Sequence, residues 1–154
     1  MHKVALVVVA LVLGGCDSYY GVSRQARLEH FVDHRCLKAA LEQVNGITDI
    51  KYQFAEGGRP WTGSGLQAPD QLHYYFFKVN ELNGNVYFLV NYEQKTEFHQ
   101  SYGALNMMPP QEHIDIIRPI MTKIEKEIEI SCGIKGFVAK ITEHCAKVQC
   151  GHLE

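Results

Sequence analysis

The residues whose type and spacing could support chemistry are histidines and cysteines, and they gather in two places. His30 and His34 are four apart, one helical turn, which is the spacing at which two imidazoles can share a metal ion, and Asp33 lies beside them. Two ligands do not complete a site, and the position after His30 is Phe31 where zinc proteases carry a glutamate base. The pair is therefore expected on a solvated surface. Near the other end, His144-Cys145 and Cys150-Gly151-His152 bring together two thiols and two imidazoles, a donor set suited to zinc or copper. The Cys-x4-Cys spacing differs from the Cys-x-x-Cys of thioredoxin-like redox motifs. A disulfide between Cys145 and Cys150 competes with any metal for both sulfurs. It is the expectation here, with metal binding by His144, Cys145, Cys150 and His152 as the alternative and no other cofactor foreseen.

Residues 56–69 form a long glycine-rich loop that holds Arg59 and the single tryptophan, Trp61. It lacks the Gly-Lys-Ser/Thr ending of a phosphate loop. Arginine and tryptophan are enriched at binding hot spots, so Arg59 and Trp61 are the candidate partner-binding residues. The run Tyr74-Tyr75-Phe76-Phe77, with Tyr87, Phe88 and Tyr92, resembles a stacking platform in composition only. Strand alternation sends half of such a run into a core. No nucleophile-elbow sequence or other catalytic constellation is present, and no catalytic residue is assigned.

These residues need elements to hold them. Ser23–Val44 reads as a helix with Ser23 as N-cap and Gly46 as stop; Leu28, Val32, Cys36, Ala39 and Ala40 share one face, opposite Arg27, His34, Lys38 and Glu42. Ile117, Met121, Ile124, Ile128 and Cys132 mark the buried stripe of a second helix, opened by Pro109-Pro110 and closed by Gly133. Pro119 either kinks that helix or marks its true start. Ile47–Phe54, Leu72–Val79 and Val86–Glu93 alternate as strands, and Asn83-Gly84 predicts a hairpin between the last two. Lys95–Tyr102 is a fourth strand or a bulged continuation of the third, and Phe137–Thr142 is the last strand. The pattern predicts an α+β fold: an antiparallel sheet of four to five strands with two helices packed on one face.

The N-terminus carries an address. Met1-His2-Lys3 is a short basic segment, Val4–Leu13 is an apolar run too short to cross a bilayer as a helix, and Leu13-Gly14-Gly15-Cys16 follows. This stretch resembles the lipobox signal of bacterial lipoproteins. The resemblance covers residues 1–16 and implies cleavage before Cys16, a thioether-linked diacylglycerol on its sulfur, and an amide-linked chain such as palmitate on its amine. Two or three chains anchor stably where one does not. Residues 1–15 are then a signal peptide, 16–22 a lipidated tether reaching at most about 20 Å beyond Cys16, and 23–154 a single domain. Asp17 resembles the inner-membrane retention signal of enteric bacteria, which favours that membrane for an enteric-like source.

Export implies an oxidising compartment, so the four remaining cysteines are expected in disulfides. Cys36 and Cys132 both lie on the inward faces of predicted helices and are paired; Cys145 and Cys150 form a local clasp. Without its first 15 residues the chain has 139 residues and, losing Lys3, a net charge of −3. That balance offers no electrostatic footing for nucleic acid. With 46% hydrophobic and 21% charged residues, the composition is that of a folded domain and not of a disordered one. The expectation is a periplasm-facing, lipid-anchored, non-enzymatic module of the cell envelope that binds another envelope protein. Fatty acid supplied to cells is expected to label the wild-type protein and not Cys16→Ser, read by autoradiography of the immunoprecipitate.

Overall fold

The computed structural model describes residues 18–57 and 70–151. The expectations for the signal peptide, Cys16, Asp17, Arg59, Trp61 and His152 lie outside these residues. Six strands form one antiparallel sheet: β1 (Tyr19–Leu28), β2 (Ile47–Gly57), β3 (Asp70–Val79), β4 (Leu82–Val90), β5 (Thr96–Leu105) and β6 (Thr142–Ala146). Their spatial order is β2-β3-β4-β5-β1-β6. Helix α1 (Arg35–Gln43) follows β1, α2 (Gln111–Ser131) follows β5, and a 3-10 turn (Val138–Lys140) leads into β6. The fold is α+β and antiparallel as expected, with six strands in place of four to five.

Alternation explains the sheet. Val22, Ala26 and Leu28 of β1, Tyr75, Phe77 and Val79 of β3, Val86 and Phe88 of β4, and Phe98 of β5 share one buried cluster. Leu37, Ala40 and Leu41 of α1 join it, as do Ile114, Ile117, Met121, Ile124 and Ile128 of α2. The stripe expected on α2 is therefore the buried one, and the helix runs through Pro119. It ends on Gly133, whose φ of 64° lets its N–H reach the Ile130 carbonyl and that of Ile134 the Glu129 carbonyl. Cys36 and Cys132 are joined, tying the start of α1 to the end of α2, and Cys145 is joined to Cys150.

Four expectations change. The helix predicted from Ser23 begins only at Arg35, because Tyr19–Leu28 is a strand lying between β5 and β6. Tyr19–Val22, expected to precede the domain, are part of the sheet. The β3–β4 turn is Asn80-Glu81, with Val79 facing Leu82, and not Asn83-Gly84. Gly84 instead faces Phe77 across the ladder, where a Cβ would collide with the phenyl ring. Finally, the last strand is Thr142–Ala146, and the residues before it form the 3-10 turn.

A polar network crosses the interior. Arg24 on β1 is only 4% exposed. Its Nη1 donates to the Glu125 carboxylate at 3.1 Å and to Thr122 Oγ1 at 2.9 Å, both on α2, and its Nε donates to Glu143 Oε2 on β6 at 2.7 Å. Arg118 grips the same Glu143 at 2.6 Å and donates to the Gly151 carbonyl at 2.8 Å. Gln100 donates to Glu125 and to the Met121 carbonyl. Burial pushes the Glu125 carboxyl above its usual range despite Arg24. Burial would also raise Glu143, but hydrogen bonds from Arg118 and Arg24 outweigh it and hold it low. Arg24→Ala leaves Glu125 buried without its cation. It is expected to lower the unfolding free energy by about 3–5 kcal/mol, measured by urea denaturation of the oxidised protein.

Candidate functional site

The strand registers define two poles. Ser18, the Asn80-Glu81 turn and the β5–α2 connection lie at one. The ends of β2 and β3, where Gly57 faces Asp70, lie at the other, with the Asn91–Lys95 turn and the connection after Leu28.

Toward this second pole, the outermost strand β2 carries Tyr52 and Phe54 on the helix-facing side of the sheet. Tyr52 faces Tyr75 and Phe54 faces His73 on β3. The two rings on β2 are 48% and 46% exposed, while Tyr75 and His73 are buried. His34, at the N-cap of α1, lays its imidazole over them. Its ring stacks on His73 at 4.0 Å between centroids and on Tyr52 at 5.0 Å, both within 6° of parallel. Phe54 tilts against His73 at 5.2 Å.

Two hydrogen bonds knit the group: Tyr75 Oη with His34 Nδ1 at 3.0 Å, and Tyr52 Oη with His73 Nδ1 at 2.9 Å. Burial raises both phenols, Tyr75 to about 12, so the tyrosines keep their protons and can donate. With the phenols donating, each Nδ1 accepts and each ring proton sits on Nε2. Burial lowers His34, and the pull of Asp33 only partly offsets it. Burial and the neighbouring His34 lower His73. Asp33 is itself engaged by Arg35, which holds its carboxyl far below the usual range. At neutral pH the cluster is thus an uncharged, flat, polarizable face with hydrogen-bonding edges.

The strand beneath it is an edge. β2 has β3 as its one sheet neighbour. The register shifts between Thr48 and Lys51, where Asp49 takes a φ of 53°, and from Lys51 to Gly57 the pairing with β3 is regular. The opposite side of this backbone meets no other strand among the described residues.

The other predicted site residues fall as follows. His30 and His34 do not share a helix face, because α1 begins at Arg35; His30 is exposed and His34 is drawn into the stack. Cys145 faces Val22 on the inner side of β6, while its neighbour His144 faces Ser23 on the outer side. The two therefore diverge. Glu143, Cys145 and Cys150 offer ligand atoms within 4.8 Å of one another, but the sulfurs are joined and the carboxylate is held by Arg24 and Arg118. Arg59 and Trp61 lie outside the described residues, in the sequence between Gly57 and Asp70, which face each other at the end of the β2–β3 ladder. The aromatic run on β3 divides as alternation requires: Tyr75 and Phe77 enter the core, while Tyr74 packs on Tyr87 across the outer face. The stack of His34 on His73 had no sequence signal, because its members lie 39 positions apart. Compared with protein-family models, curated proteins and solved structures, the chain has no match.

A histidine whose folded pKa lies below 6.5 takes up its proton later than the same residue in the unfolded chain. Stability is then complete above about pH 6.5 and is lost as pH falls through that value toward the folded pKa. Urea midpoints are expected to drop between pH 7.5 and pH 5.5, and the drop should shrink in the His34→Gln/His73→Gln double variant. The wild-type imidazoles should titrate below 6.5 by NMR.

Proposed function

We propose that this chain is a membrane-anchored lipoprotein facing the periplasm, held in the cell envelope by acyl chains on Cys16. It binds another envelope protein and catalyses no reaction. The observation that carries the binding reading is an outermost strand whose far edge meets no other strand among the described residues and which bears two half-exposed aromatic rings, Tyr52 and Phe54. An exposed edge offers a row of backbone donors and acceptors that a segment of another protein can complete as an added strand. Aromatic side chains beside that row supply the anchors that give such contacts most of their energy.

The height of the site supports the same reading. Phe54, His73, Phe88, Phe98 and Ala26 form one row across the sheet. Ala26 is seven residues along β1 from Tyr19, or roughly 23 Å at the rise of a strand. The binding edge would stand off from the bilayer while the acyl chains hold the opposite pole. Arg59 and Trp61 follow β2 in the sequence and belong to the same proposed contact.

Photo-crosslinking from position 52 in cells is expected to identify the partner. With that partner purified, Tyr52→Ala/Phe54→Ala, Arg59→Ala and Trp61→Ala should each weaken binding about tenfold or more, the scale of hot-spot losses. Arg27→Ala, on the opposite face of the sheet, should leave it unchanged. Equal affinity across all of these variants would remove the β2 edge from the proposal.

A further inference from the structure

We propose that Leu105, Met107 and Met108 form a second membrane contact, seated in the same lipid surface that receives the acyl chains of Cys16. The inference rests on the acylation of Cys16 proposed above.

It begins with how tightly the chain is held where it enters the fold. The Ser18 N–H donates to Asn106 Oδ1 at 2.9 Å, and the Asn106 N–H donates back to the Ser18 carbonyl at 2.6 Å. Tyr19 faces Leu105 across the ladder. Lys147 donates to Ser18 Oγ at 3.1 Å and lies 4.9 Å from the centre of the Tyr20 ring. Ser18 is therefore fixed to the turn that ends β5. Only Asp17 lies between it and Cys16, two steps of chain with a reach of about 7 Å at full extension. The interfacial layer over each side of the hydrocarbon is itself about 5–8 Å thick. An acylated sulfur at position 16 thus brings the Leu105–Met108 turn to the lipid surface, with no length of chain left to hold it away.

The turn is composed for that position. Leu105, Met107 and Met108 are 61%, 67% and 62% exposed. Among the described residues, nowhere else do three exposed large apolar side chains fall within four consecutive positions. Pro109 is buried and closes the turn into α2, so the three side chains stand on a supported projection. Methionine is unbranched and conformationally adaptable, and it can pack against irregular acyl chains. Acyl chains and turn together give two points of attachment. These would fix the direction of β1 relative to the bilayer, and so the height of the β2 edge.

The test uses the full acylated protein in vesicles of phosphatidylethanolamine and phosphatidylglycerol, with a phospholipid carrying a diazirine in its acyl chain. After irradiation, adducts are mapped by mass spectrometry and anchoring is scored by flotation. Adducts at Leu105–Met108 are expected about tenfold above those at Phe31 and Tyr92, apolar residues exposed at the far pole and beyond the reach of acyl chains. A Leu105→Ser/Met107→Ser/Met108→Ser variant should float like wild type and lose that contrast. Wild-type protein that floats with no excess of adducts at the turn overturns this contact and leaves the anchor standing. Wild-type protein that neither carries acyl chains nor floats overturns the anchor and this contact together.

Discussion

One buried guanidinium organises the structure. Arg24 sits in the middle of β1, nearly free of water, and a cation there is tolerable only because partners meet it from the helix packed on the sheet and from the neighbouring strand. Glu125 and Thr122 approach from α2, and Glu143 approaches from β6. Arg118 then binds the far side of Glu143 and reaches on to Gly151. The network is balanced in charge, with two arginines and two glutamates, and each bond has a direction. An apolar interface would let α2 slide over the sheet at small cost; this one has a single best position. The Cys36–Cys132 disulfide fixes the other end of the same helix, so α2 is set at its middle by ion pairs and at its C-terminus by a covalent bond.

Arg24 also accounts for the largest departure from the pattern read in the sequence. β1 alternates properly, with Val22, Ala26 and Leu28 inward and Gln25 and Arg27 outward, but the inward position 24 holds a charge. That charge breaks the period-two signal. The segment is also built from residues of good helical propensity, so local preference pointed to a helix where pairing with β5 and β6 prevails. The true helical part was legible only in part. Ala40 is buried and Cys36 meets Cys132, but Leu37 and Leu41 carry the rest of the buried face and Ala39, expected on it, is exposed; the stripe on α2 lies where its period places it. The hairpin shows a subtler limit. Asn83-Gly84 has turn chemistry, but Asn80 takes the positive φ, and Gly84 serves a packing need that only the facing Phe77 reveals.

The candidate site was half legible. Tyr52 and Phe54 can be placed on one side of a strand from spacing alone. That their strand is outermost, that His34 folds back onto His73, and that this face lies opposite the entry of the chain are consequences of topology. None of them has a local signature. The thiol pairs were legible because both could be assigned from helix faces and sequence proximity. The diverging directions of His144 and Cys145 follow from β6 being a strand at that point, one turn of chain later than its predicted span.

The placement of β1 has a consequence for the order of assembly. It comes first of the six strands in the sequence, yet both its neighbours come from the later part of the chain, beginning with Thr96–Leu105. The meander β2 to β5 joins strands that follow one another and can zip through short closures, whereas β1 must wait for contacts of high sequence separation. Until β1 arrives, β5 stands as a bare border with its hydrogen-bonding groups open. That interval is when a folding copy is most prone to pair wrongly with another, and when a holding chaperone would find its grip.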